Sequence, residues 1–486
     1  MLSKFIYSIH RILGTLLSIL FFMWFFTGLV LIYHTFPKVN QKQKVVALEL
    51  LGENLPPVSS VLKRIPENYE IKSLSVDKYL GQTTFHIETA EKKYDVPADS
   101  TLHLPPVDWS RIEAVARVWC KAPIAKIDTL HKLDQWIPFG KLKKEFPIYK
   151  FHFNDSEKHQ LYVSSKSAKV LQFTTKKQRF WAWMGAIPHW VYFTLIRQDR
   201  DLWITSIICL GILGILMTLS GIYVGIDAYY KQYKKQGKLS SPYKKRWYWW
   251  HHVTGILFGV FVFTWIFSGT MSVVDTPKWL GKTTKEYPIK EKMNSKIPAF
   301  SDYPLDYREV LKAYQGKIVS IQWGRFRDKP LYHIKTKKKK VTIDASEDSV
   351  KSLYLTEASV LEAVSAIHND SISKKIELLH QYDSYYIARS GHLPLPVYKV
   401  TVKNKDGSCY YVNPSTGKYR YVDNHYRWGF WLYSGTHSLK IKWLVNHPLV
   451  WTIVMWVLLL GGALVSLTGV ILGFRYIVRK SRKMRR

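Results

Sequence analysis

The stretches His10-Arg-Ile-Leu-Gly14-Thr-Leu-Leu-Ser-Ile-Leu-Phe-Phe-Met-Trp24-Phe-Phe-Thr-Gly28 and His251-His-Val-Thr-Gly255-Ile-Leu-Phe-Gly-Val-Phe-Val-Phe-Thr-Trp265-Ile-Phe-Ser-Gly269 are two copies of one pattern. At an offset of 241 (251 minus 10), His10, Gly14, Leu16, Phe22, Trp24, Phe26 and Gly28 meet His251, Gly255, Leu257, Phe263, Trp265, Phe267 and Gly269. Further along, at an offset of 248 (437 minus 189), Arg179, Trp183, His189, Trp203, Gly214, Leu216, Gly221 and Gly225 meet Arg427, Trp431, His437, Trp451, Gly462, Leu464, Gly469 and Gly473. Chance agreement of Trp, Gly and His at a fixed offset is improbable, so the chain is an internal duplication.

Both patterns belong to apolar runs. Four such runs, Ile12–Tyr33, Leu202–Ile226, Val253–Val274 and Leu449–Phe474, each exceed the roughly 20 residues that cross a bilayer core. The expected fold class is therefore an α+β membrane protein: four transmembrane helices in a duplicated two-helix unit, with a large external segment in each copy. An aromatic content of 15% with 19 Trp fits interfacial belts, and a mean hydropathy of −0.12 requires that the rest be polar.

Lys and Arg near the run ends set the orientation. Between the second and third runs stand Lys231, Lys234, Lys235, Lys238, Lys244, Lys245 and Arg246, against Asp227 alone. The tail carries Arg475, Arg479, Lys480, Arg482, Lys483, Arg485 and Arg486 with no acid. Both termini are expected in the cytoplasm, and the first run is expected to stay as an anchor. The organisation follows: span one with the N-terminus (1–34), a first external lobe (35–178), an interfacial segment with span two (179–228) and a basic linker (229–249). The second copy repeats it as span three (250–275), a second lobe (276–426), an interfacial segment with span four (427–475) and a basic tail (476–486).

The formal charge of +35 exceeds what the cytoplasmic ends supply, so the lobes are basic too. This suits an acidic ligand or anionic surface, and equally a generally basic background. No nucleic-acid partner is expected. Cys120, Cys209 and Cys409 form no CxxC or CxxCH, which excludes a zinc ribbon and covalently attached c-type haem. Whether Cys120 and Cys409 pair is open. No GxGxxG, Walker A, HExxH or nucleophile elbow stands in a suitable context.

Within the lobes, amphipathic helices are expected at Ser110–Trp119 and Thr356–Ile367, with weaker ones near 56–64 and 305–314. Strands are expected at Thr84–Glu88, Pro147–Phe153, Leu161–Ser164, Leu331–Thr336, Val397–Lys403 and Cys409–Asn413. Asn413-Pro-Ser-Thr-Gly417 is a turn in which Gly supplies the positive φ. The layout suggests two small α+β subdomains per segment. At an offset of 249 (380 minus 131), Leu130, His131, Asp134, Trp136, Pro147, Tyr149 and Lys150 match Leu379, His380, Asp383, Tyr385, Pro396, Tyr398 and Lys399. This cluster is either the lining of a ligand cleft or a structural edge of each lobe. Tyr149, Lys150, Tyr385, Tyr386, Tyr398 and Lys399 are the candidates for binding an acceptor.

Repetition singles out four of 17 histidines. In the first run, positions 10, 14, 24 and 28 share one helix face, because steps of 4, 10 and 4 close on whole turns at 3.6 residues per turn. His10 and His251 fall one turn before the apolar core on the cytoplasmic side; His189 and His437 precede runs two and four on the outer side, in Trp-rich stretches. Histidines on facing helices of a bundle can ligate haem from both sides. They can also simply snorkel or bond between helices. Gly14 and Gly255, one turn on, leave room for a porphyrin, whereas His252 points about 100° off the repeated stripe. His34 matches Asp275 and is not repeated. Two sites near opposite faces lie about 30 Å apart, the thickness of the bilayer core.

His10-Arg-Ile-Leu-Gly14, His251-His-Val-Thr-Gly255, the Trp-rich stretches around His189 and His437, and Tyr411-Val-Asn-Pro-Ser-Thr-Gly417 together resemble the PepSY-associated transmembrane helix family. Within it the likeness is to bacterial inner-membrane ferric-siderophore reductases of the FoxB and PiuB type, over essentially the whole chain. The resemblance implies four spans, two PepSY-like periplasmic lobes and b-type haem, two in number. His10 and His251 match the first family histidine of each copy, and His189 and His437 the second; His252 and His34 are the lesser candidates. It implies electron transfer from a quinol or other donor across the inner membrane to a periplasmic ferric siderophore, whose reduction releases iron. Two departures stand out: the first-copy turn is reduced to Ser164-Ser-Lys-Ser-Ala-Lys169, and His252 stands where the first copy has Arg11. Two other functions remain: a non-enzymatic lobed membrane protein that restrains a periplasmic peptidase or envelope partner, and a haem subunit serving a different acceptor.

Overall fold

A computed structural model describes residues 2–66, 70–102, 106–281, 283–293 and 303–484; Arg485 and Arg486 of the basic tail lie outside the described residues. Four helices are long and apolar enough to cross a membrane: the first, Leu2–Leu31, the second, Arg200–Gln236, the third, Arg246–Met271, and the fourth, Pro448–Met484. Each contains all or nearly all of one expected apolar run. Asp199 caps the second helix by accepting from the backbone of Asp201 and Leu202, and Gly237 in the left-handed region ends it. The helices pack as a ring, first against fourth, fourth against third, third against second and second against first.

The ring interior buries Leu17, Phe21, Phe25, Met217, Val262, Trp265, Ile266, Trp451, Met455 and Leu459. Large apolar side chains also cover the outside. Leu16 and its repeat mate Leu257 are 70% and 64% exposed, an apolar belt that water would not favour.

Fifteen strands build the rest of the described chain. The first copy holds β1 (Ile71–Tyr79), β2 (Gln82–Thr89), β3 (Lys93–Pro97), β4 (Ile124–Leu130), β5 (Ile148–Phe153), β6 (Gln160–Ser164) and β7 (Val170–Thr174). The second holds β8 (Ile318–Phe326), β9 (Lys329–Thr336), β10 (Lys340–Asp344), β11 (Lys351–Ser352), β12 (Lys374–Leu379), β13 (Val397–Val402), β14 (Cys409–Val412) and β15 (Tyr419–Val422). Two four-stranded meanders, β4-β5-β6-β7 and β12-β13-β14-β15, are repeat mates. Helix Trp109–Trp119, capped by Asp108, packs on the first, and helix Glu357–Ser365, capped by Thr356, on the second.

The remaining strands form one seven-stranded sheet, ordered β11-β10-β9-β8-β1-β2-β3, that takes strands from both segments. The two segments thus share one sheet, and each also keeps a meander of its own. The crossing has a simple geometry. Ile71-Lys-Ser-Leu-Ser-Val-Asp-Lys-Tyr79 and Ile318-Val-Ser-Ile-Gln-Trp-Gly-Arg-Phe326 are repeat mates at an offset of 247 (318 minus 71). In the antiparallel pairing of β1 with β8, Ser75 lies opposite Gln322, its own mate at 247 (322 minus 75). A pseudo-two-fold axis therefore passes through that pair, and the duplication closes on itself as a dimer closes.

The expected helices and strands of the lobes are all present, with ends shifted by a few residues at most. The shortened first-copy turn keeps its geometry. Ala168 holds φ +51° where Gly417 holds φ +65°, and both residues' N–H groups donate back to equivalent carbonyls, Ser164 and Asn413.

Candidate functional site

The ring packing brings the four repeated histidines together as two pairs. His10 of the first helix and His251 of the third have ring centroids 6.1 Å apart and ring planes at 30°. His189 and His437 have centroids 6.4 Å apart and planes at 64°. His189 ends a short helix, Ala186–His189, that follows a break at Gly185. His437 follows a π-helical turn, Trp431–Gly435. Both irregularities occur at the same point of the repeat, and each turns a histidine into the lobe-side end of the bundle.

One nitrogen of every ring is tied down. His10 Nδ1 bonds the Met217 carbonyl at 3.1 Å, and His251 Nδ1 bonds the carbonyl of its repeat mate Val465 at 3.2 Å and Thr468 Oγ1 at 3.0 Å. His189 Nδ1 bonds the Trp24 carbonyl and Thr27 Oγ1, both at 3.1 Å. His437 Nδ1 bonds Ser268 Oγ, the repeat mate of Thr27, at 3.1 Å. A carbonyl only accepts, so Nδ1 of His10, His251 and His189 carries the proton. Ser268 Oγ donates to the Trp265 carbonyl, which leaves it free to accept from His437. Among the described residues none of the four Nε2 atoms has a hydrogen-bond partner. Each is therefore a neutral nitrogen with its lone pair available, oriented by the bond on the far side of the ring.

Glycines make the space. A Cβ on Gly221 would stand 2.7 Å from His10 Cε1, and one on its mate Gly469 3.6 Å from His251 Cε1. On the lobe side, a Cβ on Gly28 would stand 3.7 Å from His189 Cε1 and one on Gly269 3.3 Å from His437 Cε1. Gly14 and Gly255 face open space, with nothing within 4 Å of a Cβ. A cavity of about 320 Å³ surrounds His10 and His251, and one of about 540 Å³ surrounds His189 and His437. His10 to Gly28 is 18 residues of one helix (28 minus 10), so the two sites stand about 27 Å apart along it.

Each cavity also carries two basic side chains and no carboxylate. Arg11 and Arg479 line the first; Arg389 and Lys440 line the second. None of the four stands out by repetition, because none has a Lys or Arg repeat mate in its cavity. Trp24 Nε1, in the wall of the larger cavity, is buried without a partner, whereas its mate Trp265 donates to the His437 carbonyl.

The two lesser histidines lie outside the pairs. Both nitrogens of His252 are engaged, with Ser241 Oγ at 2.9 Å and the Gly225 carbonyl at 3.1 Å, and its ring packs on Tyr229 and Tyr243. His34 stacks on Trp181 at 4.5 Å. Among the described residues no group of three or more His, Cys, Asp or Glu converges as a metal-ion site.

The six side chains considered for acceptor binding do not form an open surface. Lys150 pairs with Asp134 at 3.0 Å and Lys399 with Asp383 at 2.9 Å, and Tyr162 and Tyr411 donate to the same two carboxylates. Tyr386 and Tyr398 are buried, Tyr149 packs on Trp109, and Tyr385 packs on Phe430. Lys150 and Lys399 thus tie the loop before each meander's second strand to that strand through Asp134 and Asp383. No family model matches the chain, and a search of curated proteins returns no match.

Proposed function

We propose that the chain is a four-span electron-transfer protein of the bacterial inner membrane that holds two b-type haems, each between one pair of histidines. The observation that carries this is the pairing itself. Two imidazoles that share one metal, each through a bond of about 2.0–2.1 Å, bring their ring centres to roughly 6 Å when they lie in line. Both pairs stand at that spacing, with the ligating nitrogen free and the other bonded. Interface-snorkelling histidines need neither the pairing nor the opened glycine faces.

His10 and His251 hold the inner group, His189 and His437 the outer one. Bound there, haem iron supplies reversible one-electron redox chemistry. The protein's part is to orient the rings through Met217, Val465, Trp24 and Ser268, and to keep water and competing ligands off the metal with Phe21, Val262, Trp265 and Leu459. In this reading the basic linker and tail lie in the cytoplasm, and the sheets form PepSY-like periplasmic lobes. Haem held by these pairs would supply one-electron transfer from a quinol or another donor on the inner side to a ferric siderophore on the outer side, one electron per ferric ion, whose reduction would release ferrous iron. The acceptor rests on the resemblance to ferric-siderophore reductases; the pairing supports the electron path.

The test is direct. Dithionite-reduced protein in nanodiscs is mixed with a ferric siderophore and a ferrous trap. Reoxidation at a rate that scales with chelate, abolished in His189→Ala and His437→Ala, is the expected result. Haem-replete protein that ferric chelates leave reduced would remove the proposed acceptor.

A further inference from the structure

The two cavities share a feature that the duplication does not explain. Their histidines are repeat mates, but their cations are not. Arg11 corresponds to His252, and Arg479 to Lys231, which is paired with Asp227 at 2.6 Å (479 minus 248). Lys440 corresponds to Tyr192 (440 minus 248) and Arg389 to Gly140 (389 minus 249). A two-fold bundle makes its second and fourth helices equivalent, yet the cations of both cavities gather around the fourth. Arg11 belongs to the first helix and stacks on Tyr476 of the fourth, 5.2 Å from the ring centre; Arg479 belongs to the fourth and donates to Tyr248 Oη of the third at 2.8 Å. Arg389 donates to the Ile32 carbonyl, just past the first helix, at 3.1 Å and lies 4.2 Å over Trp451 of the fourth. Lys440 leads into the fourth helix.

These cations lack counter-charges. Among the described residues none of the four has an acidic partner, and neither cavity is lined by Asp or Glu. Burial, reinforced by Arg420 and Arg389, holds Lys440 below its ordinary pKa, as fits a cation short of an anion. Arg11, Arg389 and Arg479 are exposed at the cavity rims and Lys440 is half-buried, so each apolar cavity carries two cations at its open edge, which suits a ligand that is apolar over most of its body and carries two negative charges on its exposed side.

We infer that Arg389 with Lys440, and Arg11 with Arg479, hold the two carboxylates of the group bound in each cavity, and so turn its acidic edge to the fourth helix at both sites. The inference rests on the haem reading, since haem b bears its two propionates on one edge. It adds what the pairs alone leave undecided, namely which way round a ligand sits in a two-fold site. It also gives the second lobe a role, because Arg389 comes from the segment between β12 and β13 and latches that lobe to the bundle.

Full-length protein is purified, and haem content and the two midpoint potentials are measured for wild type, Arg389→Met/Lys440→Met, Arg11→Met/Arg479→Met and the control Lys231→Met. Each double variant is expected to lower the potential of its own site alone, because an unneutralised carboxylate edge favours ferric iron; a tenfold shift in the equilibrium is about 59 mV for one electron. Arg389→Lys should restore most of the outer value. The full-length apoprotein is then titrated with iron protoporphyrin IX and with its dimethyl ester. The ester is expected to bind at least tenfold more weakly. Two haems per chain with unshifted potentials and equal ester binding would overturn the anchor while leaving the haem reading intact. An absence of haem in wild type, with no uptake of either porphyrin, would overturn both.

Discussion

In the bundle, His10 and His251 rest against Gly221 and Gly469, and each bonds the carbonyl four residues before that glycine. The lobes hold another matched pair of histidines. His86 in β2 and His333 in β9 are mates at 247 (333 minus 86), yet their settings have parted. His86 sits between Asp95 at 2.6 Å and Asp77 at 3.2 Å. His333 finds Thr342 where Asp95 would be and Gly324 where Asp77 would be. Burial works against the His86 imidazolium, but the two carboxylates outweigh it and push its pKa up to about 9. Burial, with Lys418 and Lys335 nearby, takes His333 down to about 4. One duplication thus yields matched histidine sites in the helices and opposite ones in the sheet. A site whose two halves meet on the axis needs both halves to stay alike, whereas two sites on separate strands can drift apart.

Substitutions break that comparison in graded ways. The largest effect is expected for the paired histidines: His10→Ala or His251→Ala should remove one haem of two and leave the other, and His189→Ala or His437→Ala should remove the complementary one. Pyridine haemochrome counts on purified variants check this. Loss of both haems from every variant would mean that the sites are not independent.

The next effect probes the lobe clusters. Lys399 has a second acid, Glu377 at 3.2 Å, whereas among the described residues Lys150 pairs with Asp134 alone, because Asp128 bonds Lys126 and His152. Asp134→Asn should therefore cost about 2 kcal/mol, discounted from a fully buried pair, and Asp383→Asn less. Thermal unfolding followed by tryptophan fluorescence ranks the two, and equal losses would refute the difference.

Smaller still is the glycine asymmetry. Gly221→Ala must displace His10, at about 1–2 kcal/mol, while Gly469→Ala presses on Ser18 Cβ at 3.3 Å and clears His251, at a smaller cost. The comparison is read as haem retained through a heating ramp, and a reversed order would contradict the packing described for His10.

The smallest effect is in pH. His86 has a raised folded pKa, so its contribution to stability is whole below about 6.5 and fades as pH rises through about 9. His333 has a lowered one, so its contribution is whole above about 6.5 and fades as pH falls through about 4. Unfolding midpoints from pH 4 to 9.5 should lose their alkaline slope in His86→Asn and part of their acid slope in His333→Asn. Unchanged slopes would show that these histidines titrate as free side chains.

The long helices, the duplication and the four histidines were legible in the sequence because helix periodicity and a fixed offset are local signals. The partnering of the histidines was not. It depends on how helices more than 200 residues apart in sequence dock, and for His189 on a break at Gly185 that aims it at Trp24 and Thr27. The shared sheet was hidden for the same reason, since β1 and β8 pair across the two copies. β1 itself, Ile71-Lys-Ser-Leu-Ser-Val-Asp-Lys-Tyr79, is too polar on its open face to stand out as a run. Lys150 and Lys399 of the repeated cluster read in the sequence as candidates for a ligand surface, because their pairing with Asp134 and Asp383 depends on how the loop before each meander's second strand folds back. The cations around the fourth helix escaped notice because the repeat does not keep them as free cations: Arg11 corresponds to His252, Arg479 to the paired Lys231, Arg389 to Gly140 and Lys440 to Tyr192.

The proposed electron path turns on whether each histidine pair holds one haem. The most direct measurement is the haem-to-protein ratio, with the low-temperature electron paramagnetic resonance spectrum, of full-length protein purified from haem-replete cells. Two b haems per chain, both low-spin as two imidazole ligands require, is the predicted result. A colourless protein, or haem with a high-spin spectrum at both sites, would contradict the account.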